Sequence, residues 1–161
     1  MSKRFAPNLS DVSAGVPLLE HGDYELAIGE VTPFFRQKEE LVNGITTMKD
    51  IYGVQTSLKV VEGPSFIGKT IPFQLHLHSE GAFGIVKQFL MAAHGYGMNR
   101  EAEFNQEFSA EDAWVVDAET QEVGEVWKGV VGKRVLANVT QKANKRDPSG
   151  PMQNQFRWSP F

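Results

Sequence analysis

Apolar and polar residues alternate with a period of two over several short stretches, the signature of strands that bury one face. In residues 22–31, Tyr24, Leu26 and Ile28 share one side, and Thr32-Pro33 is expected to close this first strand. The charged stretch at residues 36–47 then reads as a loop. A second strand is predicted over residues 50–61, with Tyr52, Val54, Leu58 and Val60 on one side and Gln55, Ser57 and Lys59 on the other. Glu62-Gly63-Pro64 ends it. The third, residues 69–78, turns Ile71, Phe73, Leu75 and Leu77 inward and Gln74, His76 and His78 outward, and Pro72 points to an edge position or a bulge. The period then changes. Over residues 82–94, Ile85, Val86, Phe89, Leu90 and Ala93 fall at helical spacing, and Gly95 is a natural stop. Residues 132–141 and 153–158 read as a fourth and a fifth strand joined by a polar turn at 144–150. In the stretch between helix and fourth strand, Ser109-Ala110-Glu111-Asp112 resembles a helix start and residues 114–127 a hairpin.

Three strands, a helix and two strands is the order of a five-stranded Greek-key barrel of the OB type, in which the helix plugs the barrel bottom. The expected fold is therefore mainly β: one domain over residues 1–161, with a flexible lead-in at 1–17 and an acidic insertion at 96–130 before strand four. An open antiparallel α+β sheet is the alternative. The 161 residues, 41% of them hydrophobic, suffice for one core. No apolar run is long enough to span a membrane, and none near residue 1 fits a secretory signal, so no membrane partner and a cytoplasmic location are expected. The absence of cysteine excludes disulfides, thiolate catalysis and Cys-ligated metals.

The net charge of -4 conceals segregation. Residues 101–126 hold nine acids and no Lys or Arg, whereas residues 127–161 hold seven Lys or Arg and one acid. The acidic block reads as a solvated insertion, with recruitment of partners or screening of a binding cleft as its functional alternative.

Residues 63–70 match the phosphate-loop pattern, ending in Gly68-Lys69-Thr70. Such a loop requires a helix after it, and here a period-two stretch containing Pro72 follows, so nucleotide binding is a remote alternative and a turn the expected structure. His76 and His78 share a strand face, but no cysteine or well-spaced carboxylate completes a metal site, and they are read as groove histidines. No nucleophile elbow or carboxylate pair suggests hydrolysis. Neither catalytic residues, metal nor cofactor are expected.

Aromatic and basic residues are interleaved instead. Phe34, Phe35, Arg36 and Lys38 leave strand one, Lys49, Tyr52 and Lys59 lie in or beside strand two, and His76 lies on strand three. Lys133 and Arg134 open strand four, Lys142, Lys145 and Arg146 sit around the last turn, and Arg157 and Trp158 lie on strand five. Cations following phosphates while aromatic faces stack bases is how single-stranded nucleic acid is held. In an OB barrel the cleft crosses strands two and three between the loops after strands one and four, here residues 35–47 and 142–150. An adaptor that binds protein but not DNA would need only the fold and the acidic surface.

Several segments carry a family resemblance: residues 19–26, residues 58–64 with Gly68-Lys69 after them, the helix at residues 86–90 ending at Gly95, and residues 131–139. Together they resemble the single-stranded DNA-binding proteins of tailed bacteriophages, an OB-fold family formerly of unknown function. The resemblance implies sequence-independent binding of single-stranded DNA during phage replication, recombination or repair in the host cytoplasm. The chain is expected to act as a monomer or homodimer, with replication or recombination proteins as further partners.

Overall fold

The computed structural model describes residues 17–143, 149 and 152–161. One antiparallel sheet of six strands dominates it. Strand β1 (Gly22–Ile28) buries Tyr24, Leu26 and Ile28, the alternation expected of it. The chain does not leave the sheet at Thr32-Pro33. After a break at residues 29–31, β2 (Thr32–Val42) continues as a strand, and one long partner, β3 (Ile45–Glu62), pairs with both. The break is clamped to β3, whose Ser57 carbonyl accepts from the Gly29 N–H at 2.8 Å while the Thr56 hydroxyl donates to the Gly29 carbonyl at 3.1 Å.

Residues 36–47, expected to be a loop, are thus the distal half of a β-hairpin. Its turn is Asn43-Gly44, with φ of 52° and 79°, the left-handed pair that a two-residue hairpin turn demands. Such a turn makes Val42 and Ile45 a hydrogen-bonded pair, so every second residue back along β2 bonds to β3. The residues between, Pro33, Phe35, Gln37, Glu39 and Leu41, turn their backbone away from β3. Pro33 therefore costs the ladder nothing, which is why it does not end the strand.

Strand β4 (Thr70–His76) pairs with the other edge of β3, so Pro72 sits on an outer strand as expected. Helix α1 (Phe83–Ala93) lays Val86, Phe89 and Leu90 into the core against β7 (Arg134–Lys142) and β8 (Gln153–Pro160). β7 joins β1 on one side and β8 on the other. The sheet does not close into a barrel: among the described residues β4 and β8 share no ladder. They meet through side chains, Phe73 of β4 lying 5.3 Å from Trp158 and 5.8 Å from Phe156 by ring centroids.

The acidic segment is folded, not a solvated insertion. It contains α2 (Glu101–Glu107), a 3-10 turn (Glu111–Trp114) where a helix start was expected, the small hairpin β5 (Val116–Asp117) and β6 (Glu122–Val123), and α3 (Glu125–Lys128). Phe104, Phe108, Val126 and Trp127 are buried in the same core as the sheet, while the segment's glutamates stay at the surface. Among the described residues no helix is long and apolar enough to cross a membrane.

Candidate nucleic-acid interface

Strand alternation decides which side chains can meet. The core face of β3 carries Val54, Leu58 and Val60, so Lys49, Ile51, Gly53, Gln55 and Lys59 look outward. The register carries this outer face across three strands: Phe34 lies opposite Gly53 and Gly53 opposite His76, while Arg36 lies opposite Ile51 and Lys38 opposite Lys49. Arg36, Lys38, Lys49, Ile51, His76 and His78 line one cleft of about 730 Å³, and Phe34 and Gly53 border it through their contacts with His76.

The centre of the arrangement is Gly53. Having no side chain, it lets the rings of Phe34 and His76 meet above it, edge to face, with centroids 5.7 Å apart. A Cβ on Gly53 would overlap the Leu75 carbonyl oxygen. Arg36 lies over the Phe34 ring at 5.9 Å, and the His78 ring is 5.2 Å from that of His76. Burial, then the neighbouring charges of His78 and Arg36, hold the His76 imidazole below its ordinary pKa. Its Nδ1 is buried and has no hydrogen-bond partner among the described residues.

Charge is sorted by face. Arg36, Lys38, Lys49 and Lys59 all stand on the outer face of the β2–β3 hairpin, whereas Glu39 and Asp50 stand on the opposite one, where Asp50 accepts from Gln37 at 3.2 Å. Glu40 is the acid that shares the cleft.

The chain matches no protein-family model and no curated protein.

Other expected site residues fall elsewhere. Phe35 and Tyr52 are cross-strand partners on the hairpin's inner face, beyond the end of the core, and are 54% and 43% exposed. Lys59 is exposed toward the far end of the outer face. Lys133 and Arg134 stand across β1 from it, and Arg134 is engaged by Glu25 at 2.9 Å. Lys142 and Arg157 are exposed on β7 and β8, away from the cleft. Lys145 and Arg146, with most of the expected turn at 144–150, lie outside the described residues.

Trp158 is a correction. It is 6% exposed, packed edge to face on Phe89 at 4.9 Å and stacked on Phe156 at 4.9 Å, so no base can reach its ring. Inward alternation on β8 selects it for the core despite Arg157 beside it.

The cleft also holds residues outside the interleaved aromatic and basic set, among them His78 and Ile51, which is 7% exposed. Ile51 carries a signal, being an apolar residue out of phase with the even-numbered core positions of its strand.

Residues 63–70 form the turn expected between β3 and β4. The Gly68 N–H donates to Val60 and that of Lys69 to Phe66, so these amides are committed to the backbone, and a strand follows rather than a helix.

Proposed function

We propose that this chain binds single-stranded DNA without base-sequence preference, on the outer face of β2, β3 and β4. The observation that carries the proposal is the convergence of Arg36, Lys38 and Lys49 in one cleft beside the Phe34–His76 pair, with the hairpin's other acids turned to the opposite face. Cations spaced along extended strands follow a phosphate backbone, and a half-exposed aromatic beside them offers a face to an unstacked base. No residue of the cleft is proposed to act catalytically.

The fold is proposed to be of the OB type. In that reading β1 and β2 are halves of one bent first strand, β3, β4, β7 and β8 are the remaining four, and α1 is the helix between the third and fourth. The acidic segment enters between α1 and β7. Replication, recombination and repair are the processes in which such binding serves.

The test is fluorescence anisotropy of a labelled oligo-dT titrated with the protein over a range of salt, with duplex DNA as competitor. Replacing Arg36, Lys38 and Lys49 together by Ala should weaken binding at least tenfold. It should also flatten the dependence of log affinity on log salt by about 2, since each phosphate contact on a single strand contributes about 0.7. Absence of binding at low salt would sink the proposal and leave a protein-binding adaptor.

A further inference from the structure

We propose that two copies of this chain pair through the free edge of β2, antiparallel and about a two-fold axis at Lys38, joining their sheets into one. Long, flat, exposed edge strands are uncommon in monomers, because unpaired N–H and C=O groups recruit another strand. Here β2 runs eleven residues, and its outward-turned backbone groups at Phe35, Gln37, Glu39 and Leu41 are paired with no strand among the described residues. The small β5–β6 hairpin flanks only the start of the edge, where Ala118 and Glu119 lie by Pro33 and Phe35. The distal half carries exposed apolar side chains among its charges: Leu41 is 72% exposed and, across the turn, Ile45 is 66% exposed.

The sequence of β2 is self-complementary in one register. A two-fold axis perpendicular to a sheet keeps each face on its own side, so residues pair only with residues of the same face. With the axis at Lys38, Arg36 of each copy meets Glu40 of the other, Phe35 meets Leu41, and Gln37 meets Glu39. Phe35, Gln37, Glu39 and Leu41 are then the hydrogen-bonded pairs, which are the residues whose backbone β3 leaves free. Lys38 meets Lys38, with Arg36 and Glu40 of the other copy diagonal to it. Moving the axis to Glu39 pairs Lys38 with Glu40 but sets two carboxylates face to face and Gln37 against Leu41. Moving it to Gln37 sets Arg36 against Lys38. The chosen register alone matches charge with charge and apolar with apolar at the flanking positions, and it would run the outer faces of the two hairpins into one surface.

The absence of cysteine makes the test clean. In a non-hydrogen-bonded antiparallel pair the Cα atoms are about 4.5 Å apart, within disulfide reach. A Lys38→Cys variant should therefore form a disulfide-linked dimer on mild oxidation. Lys49→Cys, on the same face but one strand further out in each copy, places its two sulfurs' Cα atoms about 14 Å apart and should not. Sedimentation without nucleic acid should show a dimer for the parent chain, a monomer for Glu40→Arg, and a dimer again when Arg36→Glu is added to it. A monomeric parent, or Lys38→Cys cross-linking no faster than Lys49→Cys, would overturn the pairing. Because no DNA is present, a monomer that still binds oligo-dT removes only this proposal, and a dimer that does not bind removes only the previous one.

Discussion

Phe34 and Trp158 divide aromatic work between surface and core. Phe34 is half-buried with its ring against His76 and Arg36, while Trp158 fills the gap between β4, β8 and α1. Phe34→Ala should leave the thermal transition little changed and cost oligo-dT binding the value of one base stack, about 1–3 kcal/mol. Trp158→Ala should cost about 3–5 kcal/mol of folding stability by opening a cavity, with binding intact for the fraction that remains folded. Chemical denaturation and anisotropy on the same samples separate the two effects, and equal losses of binding at matched stability would refute the division. His76 adds a pH dependence with a definite sign. Its folded-state pKa lies below the ordinary 6.5 through burial and the His78 and Arg36 charges, so the folded protein binds that proton less readily than the unfolded chain. Its contribution to stability is full above 6.5 and is lost as the pH falls through the folded-state value. A phosphate in the cleft would reverse the charge penalty and draw the proton on. Oligo-dT affinity should accordingly rise as pH falls from neutral through that window, and His76→Gln should remove the rise; identical profiles for the two proteins would count against His76 facing the DNA.

The β2–β3 hairpin is the element on which both proposals rest, and it shows what strand alternation can and cannot reveal. The core faces of β1, β3 and β4 were legible because an apolar residue at every second position leaves few ways to fold. β2 was not, since it extends beyond the core: both faces of residues 36–42 are exposed, and a strand with no face to bury has no alternation to read. Thr32-Pro33 strengthened the misreading, because a proline that spares its ladder cannot be told from one that breaks it until the edge is known. The clue lay in Asn43-Gly44, a hairpin turn between two stretches that pair in register. Of the candidate site, the cluster of Arg36, Lys38 and Lys49 was readable as composition, but their sharing one face required the register. Gly53 is where that register is most exacting. Gly53→Ala drives a methyl group into the Leu75 carbonyl of β4, and should destabilise the fold by about 1–3 kcal/mol while displacing His76 from Phe34. Denaturant titration together with the chemical shifts of the His76 ring protons would register both; a stable variant with unmoved shifts would show that β4 yields freely.

At the scale of the molecule, the net charge of -4 is a poor guide to what approaches the surface. The acidic segment cannot simply be deleted to learn its role, because Phe104 and Trp127 belong to the common core and their removal would unfold what the test needs intact. It was unreadable as structure for a related reason: its buried aromatics are spaced irregularly among short turns, leaving no period to detect, whereas its charge was plain. What the fold adds is position. β6 packs beside β2, and Glu119 lies by Phe34 and Phe35, so the segment sets negative charge against one end of the basic face. A phosphate chain crossing the outer face toward Phe34 would meet that charge, and the field at such distances is screened by salt, with a Debye length of about 10 Å at 0.1 M and about 3 Å at 1 M. Neutralising Glu119 and Glu122 to Gln should then tighten oligo-dT binding a few-fold at low ionic strength, the scale expected of about 1 kcal/mol or less per exposed charge. The gain should vanish at high salt with the fold unchanged. Unaltered affinity at low salt would mean that the bound strand ends short of Phe34 and leaves the acidic segment free for another partner.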